Sequence, residues 1–463
     1  MRLTALVPIG FALGALACAL ALRHAPAALA VDLAQPLVVV TYWQSFGALM
    51  WLTLFGAVAV ASVGYVFAIK SAPRHLRMTM LISALACAAA LAFPVVFSSD
   101  VYAYAGYGNM ALHGMDPYAH ARITVRDPIF DAMLWQWGNP PPMCVYGPAF
   151  VWFAKSIVAL SSQLGPAAPL WAFRVLACAV LVLCAPLAYA AFKPFSQSRR
   201  LTAAAGIALN PVAIWSCAEG HNDIFVVALV LGGFAIAVRS RAFVGALVVA
   251  LAALVKAPAL AAAAAFSVYA WPRREMRMRV ITGAALGALI TIAIAAPLEI
   301  GAQKRIALSG HYFAQFSVQY ALSTVVPLWI AVTLTFAACA IAALLGLRAL
   351  YLGRPSGAIY VAVAAWLMLP NPYPWYALWI LPVAFLASDV RQMWGLIAAS
   401  LLSIFRYYGD ATTELSAPLG VAIVVLQVAL PIALIMAART NRARPDLRET
   451  RTPAPDFARL RSP

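Results

Sequence analysis

Phe97-Ser98-Ser99-Asp100-Val101-Tyr102-Ala103-Tyr104 opens, and Pro140-Pro141-Pro142-Met143-Cys144-Val145-Tyr146-Gly147-Pro148 closes, a polar, aromatic and proline-rich segment in a chain that is otherwise mostly hydrocarbon. A segment of this length without an apolar run is uncommon in a compact domain unless it carries function or is disordered. Its tyrosines and tryptophans, Tyr102, Tyr104, Tyr107, Tyr118, Trp135, Trp137 and Tyr146, argue against disorder. Phe97 to Tyr146 therefore reads as a long loop that holds the reaction site.

Composition sets the class around it. The 463 residues are 64% hydrophobic and 10% charged, with a mean hydropathy of +0.88. Ordinary soluble domains carry about 25% charged residues, so this chain cannot cover itself with a soluble surface. Apolar runs near the roughly 20 residues that cross a bilayer core recur along the chain, and the reading is an all-α polytopic membrane protein of about 14 spans with long extracytoplasmic loops. The expected organisation is one membrane domain over residues 1–438 and a disordered, basic, cytoplasmic tail over 439–463. The net charge of +17 would suggest nucleic acid in a soluble protein, but here the basic residues fall in short inter-helix turns and the tail. No nucleic acid is expected, and the tail suits anionic membrane lipids. Of seven cysteines only Cys144 lies outside or beyond the apolar runs, so no disulfide framework is implied.

The basic turns orient the chain. Lys70, Arg74 and Arg77 place the turn after the second helix in the cytoplasm, so the third, about Met80 to Phe97, delivers Asp100 to the opposite face. The first apolar run, Leu3 to Leu22, is longer than a usual signal-peptide core and reads as a retained helix, with both termini cytoplasmic. Pro148 to Leu164 reads as re-entrant or interfacial. Leu201 to Cys217 brings Glu219-Gly220-His221-Asn222-Asp223 to the face of Asp100. Phe243 to Leu254 and Pro258 to Tyr269, a dozen residues or about 18 Å each, are too short to span and form a hairpin whose tip carries Lys256. Glu299 to Tyr320 reads as a second outer loop, and Pro370 to Tyr376 as an aromatic knot on the same side.

Six short motifs then occur in order: Asp100-Val101-Tyr102-Ala103-Tyr104, Gly114-Met115-Asp116-Pro117-Tyr118, Tyr146-Gly147-Pro148, Asn210-Pro211 with Gly220-His221-Asn222-Asp223, Leu254-Val255-Lys256, and Tyr373-Pro374-Trp375-Tyr376. Together they resemble the bacterial polyprenol-phosphate-mannose-dependent mannosyltransferases of the GT-C superfamily of integral-membrane glycosyltransferases. The chain departs from that pattern in Asp116, where the family usually has Asn, and in Ser98-Ser99-Asp100, where many members carry two adjacent acids.

The resemblance implies an inverting hexosyl transfer, most simply of mannose, from a polyprenyl-phosphate donor to a glycan or glycolipid acceptor at the outer face of a bacterial inner membrane. One carboxylate suffices for that chemistry. The attacking hydroxyl needs a general base, while a phosphate leaving group needs charge stabilisation and no protonating acid. Asp100 is the candidate base; its bland alternative is a helix terminator at the water boundary. Lys256 is the candidate for the donor phosphate, against a lysine that snorkels to the interface. Arg406 is a second phosphate candidate, against an interfacial anchor. His221, Asn222 and Asp223 can read sugar hydroxyls or orient a base, or else cap the following helix. Tyr102, Tyr104, Tyr118, Tyr146, Tyr373, Trp375 and Tyr376 can stack on sugars or form an interfacial belt. Asp116 and Asp127 fit turns before proline, with Asp116 also a substrate candidate, and His311 in the second loop is a further contact candidate. No His/Cys spacing suggests a metal, and no cofactor is expected. A lipid-sugar flippase or secondary transporter is the alternative class, although no internal repeat is visible.

Overall fold

The computed structural model describes residues 3–23, 43–71, 75–95, 97–308, 317–369, 372–411 and 417–440. Among these the regular structure is helical, without a strand. The chain begins with α1 (Leu6–Arg23), α2 (Trp43–Lys70) and α3 (Leu76–Leu91). The segment read as one loop instead holds two helices, α4 (Asp100–Leu112) and α5 (Pro128–Trp137). After α6 (Pro148–Ser161) come α7 (Ala168–Ala191), α8 (Gln197–Ala208), α9 (Pro211–Ala218) and α10 (Asp223–Ala237). The hairpin follows as α11 (Ala242–Leu251) and α12 (Ala259–Ala270), then α13 (Arg274–Leu308), α14 (Val318–Ser323), α15 (Leu328–Tyr351) and α16 (Gly357–Leu367). The chain closes with α17 (Ala377–Ala384), α18 (Val390–Leu402), α19 (Arg406–Ala411), α20 (Ala417–Val424) and α21 (Leu430–Thr440).

Among the described residues six helical stretches are long and apolar enough to cross a membrane, or seven if the bent pair α8 and α9 is one span. Six further apolar helices are shorter, at 10–17 residues. At about 15 to 26 Å each, such helices fall short of a roughly 30 Å core alone, and the expected figure of about fourteen is reached only if they are counted with the long ones. α6, at 14 residues, is not among the long apolar helices.

Local chemistry explains the breaks. α8 and α9 meet at 44° because Asn210 accepts bonds from the N–H groups of Val212 and Ala213, while Pro211 occupies the first helical position, where no N–H is needed. α5 starts in the same way, with Asp127 as its cap and Pro128 following. The expected second loop is shorter than read, since α13 continues through Pro297 to Leu308. His311 lies outside the described residues, as does nearly all of the basic tail.

Two apolar clusters meet at the site. The larger gathers buried residues of α1–α3, α7–α10 and α16–α19 with the α20–α21 stretch, among them Trp215, Phe385 and Tyr407. The second packs α4, α5 and α6 around Tyr104, Phe130, Phe150 and Phe173. Asp100 heads α4 on the seam between them.

Candidate active site

Asp100 does not end a helix; it begins one. Its N–H donates to Ser98 Oγ at 3.2 Å, and Ser99 makes no side-chain cap bond. An acid in the first turn is favoured by the helix dipole, but the carboxylate has other partners. Tyr104 and Tyr146 each donate a hydroxyl to Oδ2 at 3.4 Å, and His221 Nδ1 lies 3.6 Å from the same oxygen. Oδ1 takes no hydrogen bond among the described residues, and the side chain keeps 19% exposure. Burial pushes this carboxyl above the ordinary aspartate range; His221 and Lys256 pull it back, while Asp223 adds to the rise.

His221 is fully buried and stacks on Trp375 with ring centroids 3.9 Å apart. Trp375 stacks in turn on Tyr373 at 4.2 Å, and the Arg406 guanidinium lies 4.4 Å from the Tyr373 centroid. The faces of Trp375 are therefore occupied by protein, and it is 4% exposed, so it offers no platform to a sugar ring in this arrangement. The column also takes Arg406, buried to 4% exposure, out of any role as an interfacial anchor.

Lys256 does not snorkel. Its Nζ donates to Asp223 Oδ1 at 2.8 Å and Oδ2 at 3.0 Å, with Tyr376 at 4.8 Å and Tyr146 and Trp379 at 5.5 Å. Trp379 Nε1 donates to Asp223 Oδ1 at 2.8 Å. Asp223 thus serves Lys256 and is not a helix cap. Asn222 occupies the cap position of α10 but makes no cap bond, and both of its side-chain amide atoms are buried without a partner. Unpaired buried amide atoms cost about 1–3 kcal/mol each, and Asn222 keeps both a donor and an acceptor unused beside the ion pair.

Glycine explains how the pieces come so close. Gly147 donates its N–H to Val255 O at 3.0 Å, and a Cβ there would run into the Leu254 carbonyl. Only glycine lets the end of the long segment lie on the hairpin tip, which sets Tyr146 beside Lys256. Gly220, at φ +90, makes the turn that places Glu219 and His221.

Other candidates lie elsewhere. Asp116 is exposed and its Oδ1 accepts the Tyr118 N–H at 2.9 Å, while Tyr118 OH bonds to Tyr146 O at 2.9 Å. Both fasten the segment and neither meets Asp100. Tyr102 is fully buried, with Arg174 as its charged neighbour. Four residues at the site have no role in the sequence reading, although it places Glu219 on the face of Asp100. Glu219, 1% exposed, takes bonds from Phe97 N at 2.9 Å and Tyr407 OH at 2.8 Å and sits 3.8 Å from His221 Nε2. Arg174, 2% exposed, donates to Ala218 O, Leu91 O and Phe93 O, tying the ends of α9 and α3 together behind the site. Tyr407 and Trp379 complete the set. Each has a partner distant in sequence, and only the lysine in an apolar hairpin pointed toward any of these pairings.

A cavity of about 260 Å³ opens next to the ion pair, bounded by Val226, Pro258 and Trp379 and running between α10, α12, α16 and α17 to Val238, Tyr269 and Leu386. Its lining is apolar almost throughout. Among the described residues no group of three His, Cys, Asp or Glu side chains is placed to hold a metal ion.

Sequence comparison bears on the whole arrangement. A family model described as "Alpha-(1->6)-mannopyranosyltransferase, N-terminal domain" matches residues 7–273. The chain is 28% identical over 224 residues to an Alpha-(1->6)-mannopyranosyltransferase A of Mycobacterium tuberculosis, covering 44% of this chain and 40% of that protein. A protein of the same name from Corynebacterium glutamicum is 27% identical over 176 residues, 37% of this chain and 35% of the relative. The matched segments thus span about two-fifths or less of these relatives. No solved structure matches the chain. With the family model covering more than half of its length, from α1 to the end of the hairpin, the chain belongs to the alpha-(1->6)-mannopyranosyltransferase family.

Proposed function

We propose that the protein is an inverting mannosyltransferase that takes the sugar from a polyprenyl-phosphate carrier and places it on a glycan or glycolipid acceptor. The observation that carries this reading is the junction of three things: a partly exposed carboxylate, a buried cation and an apolar cavity. The residues of α10 that line the cavity run from Val226 to Val238, about 18 Å of helix, which suits an extended isoprenoid chain.

In the reaction, the acceptor oxygen attacks the anomeric carbon as its proton passes to Asp100. The bond from that carbon to the phosphate oxygen breaks, and polyprenyl phosphate leaves with one more negative charge. Lys256 meets that charge with the third hydrogen of its ammonium, the other two being directed at Asp223. Asp223 keeps the cation charged and in place in an apolar setting, and Arg406 is a reserve cation held over Tyr373. Asn222 and Tyr146 are the groups for sugar hydroxyls. A single displacement inverts the anomeric centre and balances without a cofactor. The site faces the outside of a bacterial inner membrane, with both termini in the cytoplasm, in keeping with the basic turns.

Purified protein supplied with radiolabelled polyprenyl-phosphate-mannose and an acceptor glycan tests the reading. Label should appear in the acceptor, with the anomeric configuration opposite to that in the donor. Lipid that crosses the bilayer without transfer would identify a flippase, and retained configuration would remove the single displacement.

A further inference from the structure

Behind the base stand two groups that the transfer chemistry has not used, His221 and Glu219, in line with Asp100. His221 lies between two carboxylates, with Nδ1 3.6 Å from Asp100 Oδ2 and Nε2 3.8 Å from Glu219 Oε2. Neither ring nitrogen has a hydrogen bond in this state, and the ring is fully buried and pinned against Trp375. Glu219 is fixed in turn: Oε1 accepts from Phe97 N and Oε2 from Tyr407 OH, at 2.9 and 2.8 Å. A buried carboxylate aimed at one imidazole nitrogen decides the tautomer, because the ring turns its N–H toward the fixed acceptor. That leaves the Nδ1 lone pair facing Asp100.

We propose that Glu219 is a positioning residue that acts through His221, making Glu219, His221 and Asp100 a proton relay in which His221 takes over the proton that Asp100 removes from the acceptor. This rests on Asp100 being the base. The O–H bond of the acceptor breaks as the Asp100 O–H bond forms. The Oδ2–H bond then breaks as the Nδ1–H bond forms, giving an imidazolium whose charge Glu219 balances. Asp100 is returned to carboxylate beside the departing phosphate. When product leaves, the proton goes back through Asp100, the exposed member of the line, to water. Contacts of 3.6 and 3.8 Å are longer than hydrogen bonds, as catalytic contacts often are before substrate draws them together.

A double-mutant cycle in the full-length protein, reconstituted in liposomes and assayed with polyprenyl-phosphate-mannose, tests the relay. Glu219→Gln and His221→Gln should each lower kcat by roughly ten- to hundredfold while donor KM stays put. The double variant should be no slower than His221→Gln alone, because a residue that works through another has nothing left to do once that one is gone. Losses that multiply would overturn the relay and leave Glu219 as a structural clasp. Tyr407→Phe gives a second route, since it frees one side of Glu219 without touching its charge. It should slow the wild-type background several-fold and the His221→Gln background not at all, and an equal loss in both would again overturn the proposal. Asp100→Asn is run alongside. If it turns over normally, the base assignment has failed; if it is dead while the cycle is additive, only the relay has.

Discussion

Asp100 gathers two tyrosine hydroxyls and an imidazole on one oxygen and leaves the other open, an arrangement that fixes its aim and holds down part of the rise in proton affinity that burial causes. Because burial holds the carboxyl above the ordinary aspartate range and a general base must be deprotonated, the rate should climb as pH rises through that raised value. Replacing Tyr104 by Phe removes a hydrogen bond that favours the carboxylate, so the acid limb of the kcat/KM profile should move to higher pH; a profile unchanged by Tyr104→Phe would contradict the electrostatic account. Lys256 yields a second residue-scale expectation. Lys256→Met strands the buried Asp223 carboxylate and should cost about 3–5 kcal/mol of stability, read as a lowered melting temperature. Lys256→Met with Asp223→Asn should recover most of that loss without recovering donor binding. A double variant that binds donor as the wild type does would end the phosphate role.

At the scale of elements, the long apolar helices were legible because a run of about 20 hydrophobic residues has one physical meaning in a chain this poor in charge. The helices α2, α7 and α15 are such runs, and the hairpin with Lys256 at its tip follows from two runs too short to span. α4 was not legible. Its sequence, DVYAYAGYGNMAL, mixes Gly and Tyr, which are modest helix formers, and ten of its thirteen residues are buried, so no single apolar stripe marks it. The site was legible in its residue types and not in its pairings. Lys256 and Asp223 are 33 positions apart and Tyr407 and Glu219 are 188, and nothing local ties them together. The contact at Gly147 turns element packing into a test. Gly147→Ala forces a methyl group against the Leu254 carbonyl and should cost about 1–3 kcal/mol and part of the activity, whereas Gly232→Ala, with open space around it, should be near neutral. Equal melting temperatures for the two variants would contradict the close approach of segment and hairpin tip.

At the scale of the whole molecule, the proposed base, the ion pair of Lys256 and Asp223 and the apolar cavity are neighbours. Filling the cavity should therefore act on the carrier and not on the sugar. Val230→Trp, in the wall of α10, should raise KM for a long-chain polyprenyl donor about tenfold, the effect of displacing roughly two methylene groups, and leave a short-chain donor analogue unaffected. A variant that weakens both donors equally would place the chain elsewhere. The central claim, that Asp100 is the base for transfer from a lipid-linked sugar, is tested most directly by single-turnover transfer in liposomes with donor binding measured in the same preparation. Asp100→Asn keeps the shape of the side chain and removes its proton affinity, so transfer should fall by about a hundredfold or more while donor affinity remains that of the wild type. Near-normal transfer by Asp100→Asn would contradict the account.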